Sequence, residues 1–194
     1  MKRIVLFLVL AIGALPAQQA MAKAEHAQRA PGHDIGFRSV GASVAYVSPE
    51  NLDGTFGFGV FADLGRITPQ IGLEPRIDYW SGSQEAFGAK AEIRDVAVGA
   101  RAKYYFEVKG PSIRPFAGAG LGLHFLNAKA TVSVPGFPTV SSSSSDTKLG
   151  LDLGGGMETS LNPKVDLHFD LWYGIVSDVS QFALRFGVSR KLGR

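Results

Sequence analysis

A chain of 194 residues is long enough for one domain, or at most two small ones. It contains no cysteine, which excludes a disulfide framework, a thiol nucleophile and a cysteine-ligated metal. Its 20 basic and 17 acidic residues give a formal net charge of +3, which is too small and too evenly spread for a typical nucleic-acid binder. The hydrophobic content of 45% also argues against a disordered chain.

The N-terminal segment has the three parts of a secretory signal peptide. Two basic residues precede an apolar run over residues 4–15, and an Ala-Met-Ala sequence ending at Ala22 suits a signal peptidase. The run is shorter than the roughly 20 apolar residues that a spanning helix needs. We therefore predict an exported protein with a signal peptide over residues 1–22, cleaved after Ala22. The polar residues 23–34, which include a Pro-Gly pair, are predicted to form a flexible leader.

From Ile35 onward apolar and polar residues alternate, which is the pattern of β-strands with two different faces. In the clearest stretch, residues 165–173, every odd position is apolar. The pattern predicts eight strands, and no stretch has convincing helical periodicity. Longer loops are predicted at residues 81–91 and 128–146, and the other connections are short. The predicted strands cover residues 35–47, 54–65, 69–81, 92–106, 112–127, 147–160, 163–175 and 179–192, with boundaries uncertain by about two to four residues.

The apolar faces of these strands are predicted to contact lipid, and the polar faces to enclose a lumen. Arg38 and Arg190 lie on the apolar faces, but both are at strand ends, where long basic side chains reach the interface. Aromatic residues on the same faces gather near strand ends, as expected for girdles at the two bilayer interfaces. They are Tyr46, Tyr79, Phe125, Tyr173 and Phe182 on the long-loop side, and Tyr104 and Phe106 on the other side.

Only a closed barrel places strands in lipid, because every N–H and C=O at a sheet edge must be paired. Eight strands leave an interior just wide enough for side chains to fill. We expect the charged residues of the lumen to pair and fill it, because an unpaired buried charge is costly. This favours a closed lumen over a wide diffusion pore. The acidic residues are Asp63, Glu74, Asp78, Asp95, Asp152, Glu158, Asp166 and Asp170, and the basic residues are Arg76, Arg101, Lys103, Arg114, Lys148, Arg185 and Lys191.

Three stretches of sequence carry a family resemblance. They are residues 55–60 (TFGFGV), residues 114–122 (RPFAGAGLG) and residues 154–174, which include the turn sequence LNPK. In these patterns the chain resembles the small eight-stranded outer-membrane β-barrel family, which includes the transmembrane domain of OmpA and the OmpX-like proteins. The resemblance implies an all-β, eight-stranded antiparallel up-and-down transmembrane β-barrel over residues 35–194, in the bacterial outer membrane.

The resemblance also implies the surroundings and partners of such a barrel. These are outer-membrane lipid, lipopolysaccharide and, during biogenesis, the barrel-assembly machinery, with the protein itself a monomer. The implied role is structural or adhesion-type surface interaction, without catalysis. Where these barrels usually end in an aromatic residue, this chain has Leu192 followed by Gly193 and Arg194.

Asp166, His168 and Asp170 are the strongest candidates for acid–base chemistry or a metal site, because they share one face of a predicted strand. We interpret them, together with His124, as part of the ion network of the lumen. The glycines at positions 118, 120 and 122 precede no helix, so they indicate space for neighbouring side chains and no nucleotide site. No catalytic, cofactor-binding or metal-ligating residue is therefore predicted.

Two other functions are alternatives to this interpretation. A lipid A-modifying outer-membrane enzyme would use histidine, serine and an acidic residue near the lipid face, and the sequence has no close His-x-Ser pair. A soluble exported barrel would bind a small apolar ligand and turn its apolar faces inward. The predicted loop 128–146, with its serine tract 141–145, is expected to be the most exposed extracellular feature.

Overall fold

The computed structural model describes residues 34–50, 52–86, 89–108, 112–133, 139–177 and 179–193. The predicted signal peptide, residues 1–22, and residues 23–33 of the predicted leader lie outside the described residues. Within the described part of the chain, no helix has the length and hydropathy of a membrane-spanning segment.

The described residues form eight β-strands, and consecutive strands pair antiparallel. β1 also pairs with β8, from Ser39 opposite Lys191 to Pro49 opposite Gln181, and this pairing closes the sheet into a barrel. The arrangement confirms the predicted eight-stranded antiparallel up-and-down barrel. The strands are β1 (Asp34–Pro49), β2 (Thr55–Arg66), β3 (Ile71–Ala86), β4 (Ala89–Tyr105), β5 (Ile113–Val132), β6 (Val140–Asn162), β7 (Val165–Val176) and β8 (Gln181–Lys191).

The strands of the barrel wall turn their apolar side chains outward. On β7, Phe169 and Leu171 are 47% and 42% exposed, whereas Asp166 and Asp170 are 5% and 6% exposed. All seven aromatic residues predicted for the two girdles are exposed as well. Because successive side chains of a strand point to opposite faces, an apolar outer face places the charged residues inside. This is the orientation that the membrane interpretation predicted.

Two long hairpins continue beyond one end of the barrel wall. β7 has 12 residues and β8 has 11, close to the roughly 9–11 that cross a bilayer, whereas β5 has 20 and β6 has 23. The predicted loops at 81–91 and 128–146 are therefore wrong over most of their length, and the serine tract 141–145 lies within β6. Serine, threonine and charged residues occupy this region, so the apolar–polar contrast that marks the wall is lost although the backbone pairing continues.

The regular alternation also breaks on β1. Its pairing with β2 shifts register between Ile35 and Ser39. The consecutive residues Arg38 and Ser39 both line the opening at the end of the barrel where β1 begins and β8 ends. Arg38 is half-buried there, so the expectation that it lies on the lipid face is wrong. An irregularity in a ladder redirects a side chain, and a residue pattern does not reveal it.

Candidate functional site in the barrel interior

The middle of the interior holds arginine–carboxylate pairs that connect distant strands. Arg76 Nε lies 2.6 Å from Asp78 Oδ2, and Arg76 Nη1 lies 3.0 Å from Glu74 Oε1. Arg185 Nη2, on β8, approaches Asp78 Oδ2 at 3.4 Å, and the Lys103 ammonium contacts Glu74. Each carboxylate here therefore faces more than one cation, as buried charges require.

Arg101, on β4, pairs with a carboxylate of β6 and packs on an aromatic ring. Its Nη2 lies 2.7 Å from Asp152 Oδ2, and its guanidinium carbon lies 4.0 Å from the centre of a Trp172 ring. Trp172 is 1% exposed, and glycines make room for it: a Cβ on Gly118 would lie 2.9 Å from its ring, and one on Gly154 would lie 2.7 Å away. Gly118 is one of the three glycines predicted to leave space for neighbouring side chains, and its geometry fits that role.

Glu158 is the centre of a second cluster, nearer to the end of the barrel where β1 begins. It accepts a hydrogen bond of 2.8 Å from the Tyr105 hydroxyl, and Lys103 Nζ lies 3.3 Å from the same oxygen. Arg114 Nη2 lies 3.2 Å from its other oxygen, Oε2, whereas His168 Nδ1 lies 3.4 Å from Oε1, the oxygen that Tyr105 and Lys103 contact. Glu158 is 4% exposed, and removal of its charge would leave Glu74 as the remaining carboxylate of Lys103 and Asp166 as that of Arg114.

His168 joins this cluster to a buried serine that sequence analysis missed. Its Nε2 lies 2.7 Å from Ser189 Oγ on the neighbouring strand, so Ser189, His168 and Glu158 stand in the order of nucleophile, base and acid. Ser189 is only 1% exposed, and its hydroxyl points into the filled lumen, away from the lipid face. The pairing joins positions 168 and 189, which no local motif connects, whereas strand pairing of His168 with Gly187 brings them close.

Asp166 and His168, two of the three candidate residues on one face of β7, have different contacts. Asp166 accepts a 2.6 Å hydrogen bond from Ser160 Oγ and contacts Lys191 at 2.9 Å and Arg114 at 3.2 Å. His168 instead contacts Glu158, and its other nitrogen contacts a serine. Asp166 and His168 therefore have separate contacts, and Asp170, at 6% exposed, is buried in the interior.

A different set of side chains has the spacing of a metal site. The nearest ligand atoms of Glu74, Glu158 and His168 lie within 4.8 Å of one another. Lys103 Nζ contacts both of these carboxylates, at 3.3 Å for Glu158. An ammonium thus already supplies the positive charge that a bound cation would bring, and the set is better described as an internal ion cluster.

Toward the opposite end of the interior, a polar pair lies beside an apolar cluster. His124 Nδ1 lies 2.7 Å from Asp95 Oδ2, and Trp80 donates an indole N–H to the same oxygen at 3.1 Å. The ring of Trp80 also belongs to the apolar cluster at this end. The buried members are Ala45, Val47, Trp80 and Ala183, and Leu52, Ile93 and Val179 pack against them.

Comparison with known proteins agrees with the fold. The family profile described as outer membrane protein beta-barrel domain matches residues 6–191. No curated protein sequence matches the chain. Among solved structures, the outer membrane protein OprG from Pseudomonas aeruginosa is similar with a TM-score of 0.62 and 15% identity, over 84% of this chain and 99% of that chain.

Two further solved structures share the architecture. Neisserial surface protein A has a TM-score of 0.55 and 23% identity, over 79% of this chain and 96% of that chain. Ail, the attachment invasion locus protein of Yersinia pestis, has a TM-score of 0.51 and 15% identity, over 80% of this chain and 97% of that chain. At these identities the similarity concerns the fold alone.

Proposed function

This chain belongs to the outer membrane protein beta-barrel domain family, and from that membership we propose an integral bacterial outer-membrane protein with a closed lumen and an adhesion-type role. The role is surface interaction through a sheet that projects from the barrel, without catalysis. In this proposal the barrel is a monomer that contacts outer-membrane lipid and lipopolysaccharide, and the barrel-assembly machinery inserts it.

The observation that carries the proposal is the continuation of four neighbouring strands beyond the barrel wall. Residues 81–86, 89–94, 127–132 and 140–146 form one antiparallel sheet, here called the projecting sheet. β1 begins and β8 ends at the opposite end of the barrel. Barrels of this class keep short turns in the periplasm and longer hairpins outside, so the projecting sheet is assigned to the cell exterior.

Charged residues appear where the outer face of the wall continues into the projecting sheet. Lys90 Nζ lies 2.6 Å from Glu92 Oε1, and Lys129 is paired opposite Glu92. A hydrogen bond from Lys90, together with its positive charge, holds the pKa of the Glu92 carboxyl below its ordinary value. Charges on this face are disfavoured in hydrocarbon, which supports a position of the sheet in water.

The projecting sheet has an open edge along β6. Pairing between β6 and β7 ends at Gly150 opposite Val176, so residues 140–149 have a partner strand only on the β5 side among the described residues. This edge is about 30 Å long at the rise of a β-strand. Its charged residues are Asp146 and Lys148, whereas the serine tract between 141 and 145 is uncharged. Unpaired N–H and C=O groups of such an edge bind an extended polypeptide by strand addition.

Removal of the β5–β6 hairpin of the projecting sheet should abolish adherence and preserve the barrel. In the variant, Asn-Gly replaces residues 127–145. We expect cells that produce this variant to adhere to a surface of mixed extracellular-matrix proteins no better than cells without the protein. The replacement joins Leu126 to Asp146, which are opposite each other, through a favoured two-residue turn. A gel shift between boiled and unboiled membrane fractions checks that the variant is folded.

A matched pair of charge variants tests the edge itself. Ser142→Lys with Ser144→Lys places two cations on the open edge, which blocks strand addition, and we expect adherence to fall several-fold. Asn127→Lys with Thr131→Lys adds the same charge on β5, which has partner strands on both sides, and should leave adherence unchanged. Equal adherence of the wild type and the hairpin deletion would contradict the proposed role.

The filled interior supports a lumen closed to ions. Trp172 and Arg101 are each 1% exposed, and the cluster around Trp80 covers one end. We expect planar bilayers with the purified protein to show no sustained conductance steps, in contrast to a sixteen-stranded porin measured under the same salt conditions. Reproducible current steps from the wild-type protein would show an open pore.

The position of Ser189 supports a role without catalysis. A lipid-modifying enzyme needs its nucleophile at the lipid face, whereas Ser189 is enclosed in the lumen. His168 is also held between Ser189 and Glu158. Both imidazoles described above, those of His124 and His168, are thus engaged inside the barrel.

A further inference from the structure

The opening at the end of the barrel where β1 begins and β8 ends contains a cluster of cations. A cavity of about 290 Å³ lies there, near the lower limit of ligand-binding clefts. In the described part of the chain, four basic and two acidic side chains from five strands line it. They are Arg38 of β1, Arg66 of β2, Arg114 of β5 and Lys191 of β8, with Asp63 of β2 and Asp166 of β7.

The irregularity in β1 brings the first of these cations into the cavity. In a regular strand the consecutive residues Arg38 and Ser39 would face opposite sides of the sheet. The register shift between Ile35 and Ser39 allows both to line the cavity. Irregularities at barrel rims commonly redirect a side chain toward a site. The departure from regular pairing thus adds a positive charge to this opening.

The other cations are held in place by neighbouring groups and remain partly accessible. The guanidinium carbon of Arg66 lies 3.6 Å from the centre of the Tyr105 ring. Arg114 shares one nitrogen between two carboxylates at 3.2 Å each, yet its side chain is 42% exposed. Lys191 Nζ lies 2.9 Å from Asp166, and its side chain is 37% exposed. Their positions are therefore set before a ligand arrives, which lowers the entropic cost of binding.

The charge balance of this opening favours an anion. Among the residues that the structure describes, the four lining cations outnumber the two lining carboxylates, and they still outnumber the carboxylates when Glu158, behind Arg114, is counted. Phe37 and Leu192 also line the cavity and are 64% and 43% exposed on its outer side. Guanidinium groups match the oxygens of a phosphate through paired hydrogen bonds. The apolar border fits a phosphate that is attached to an acyl chain.

We propose that this opening binds a phosphate group from the periplasmic side, and Arg38, Arg66, Arg114 and Lys191 are its ligands. The phosphate belongs either to an anionic phospholipid of the inner leaflet or to a soluble periplasmic molecule. This site is separate from the projecting sheet and does not depend on the adhesion role.

Two arms of one experiment test the site and identify the source of the phosphate. In the first, inorganic phosphate is titrated into the detergent-folded full chain, and chemical shifts of the arginine Nε–H groups are followed by NMR. In the second, the protein is placed in nanodiscs with and without phosphatidylglycerol, and the same resonances are compared. Shifts in both arms indicate a general phosphate site, and shifts only with the lipid indicate a headgroup site.

Charge-neutral variants decide whether the named residues carry the binding. We expect Arg38→Gln with Arg66→Gln to weaken phosphate or lipid binding by about tenfold, as expected for the loss of two partly exposed charge contacts. Lys164→Gln is the matched control, because Lys164 is an exposed cation in the turn between β6 and β7 and does not line the cavity. The gel shift on boiling checks folding of each variant. Absence of shifts in both arms, or equal weakening by Lys164→Gln, would overturn the proposal.

Discussion

Glu158→Ala should destabilise the barrel by about 3–5 kcal/mol, the usual cost of breaking a buried ion pair from one side. The substitution leaves Lys103, Arg114 and His168 near one another without the carboxylate that contacts all three. It also removes the acceptor of the Tyr105 hydroxyl. Urea unfolding of protein refolded into lipid vesicles measures the effect, because the buried Trp172 reports the loss of the interior by fluorescence.

Two further variants separate the charge of Glu158 from its hydrogen bonding. Glu158→Gln keeps an acceptor for Tyr105 and should lose less free energy of unfolding than Glu158→Ala. Glu107→Ala removes an exposed carboxylate beyond the end of β4, and we expect a change within about 0.5 kcal/mol. If Glu158→Ala were as stable as Glu107→Ala, the ion cluster would contribute no net stability to the barrel.

Leu121→Arg should destabilise the protein by about 2–4 kcal/mol, as expected for arginine at the bilayer midplane. Leu121 is 59% exposed on the outer face of β5, and it pairs with Ala100 and Leu151 in the middle of the wall. The same urea titration in vesicles measures the change. The expectation depends on direct contact between this side chain and hydrocarbon.

Asn127→Arg is the matched control on the same strand and the same face. Its position is six residues further along β5, about 20 Å at the rise of a strand, so it lies in the projecting sheet. We expect the free energy of unfolding to change by less than about 1 kcal/mol, because the cost of arginine on the outer face falls to that level near the interface. Equal destabilisation by both variants would contradict the assigned position of the membrane.

The sequence was sufficient to predict the wall of the barrel but not its projecting sheet. In β7 the contrast between Phe169 and Asp170 follows from lipid on one side and ions on the other, so the residue pattern carries the fold. In residues 141–145 both faces meet water, and the same extended backbone leaves no pattern of hydrophobicity. Strand pairing there is visible only through the backbone hydrogen-bond register.

The contacts of the interior were predictable as a class and not as individual pairs. Alternation placed Arg101 and Asp152 on inner faces, but their pairing at 2.7 Å joins β4 to β6 across β5 and depends on three-dimensional closure. The same applies to Arg185 and Asp78, which are 107 residues apart. Arg38 was assigned to the wrong side because a shift in strand register has no signature in residue type.

The pairing of β1 with β8 has a consequence for how the molecule forms. Every other pairing joins strands that follow one another, so each arises from a short loop, whereas Ser39 and Lys191 must meet across nearly the whole chain. This pairing closes a far longer loop than any of the others and therefore costs the most closure entropy. Before it forms, the open sheet has two edges whose N–H and C=O groups are unpaired, and such edges are unstable in hydrocarbon. We therefore expect an open sheet of the same strands to be unstable in the bilayer until β1 pairs with β8.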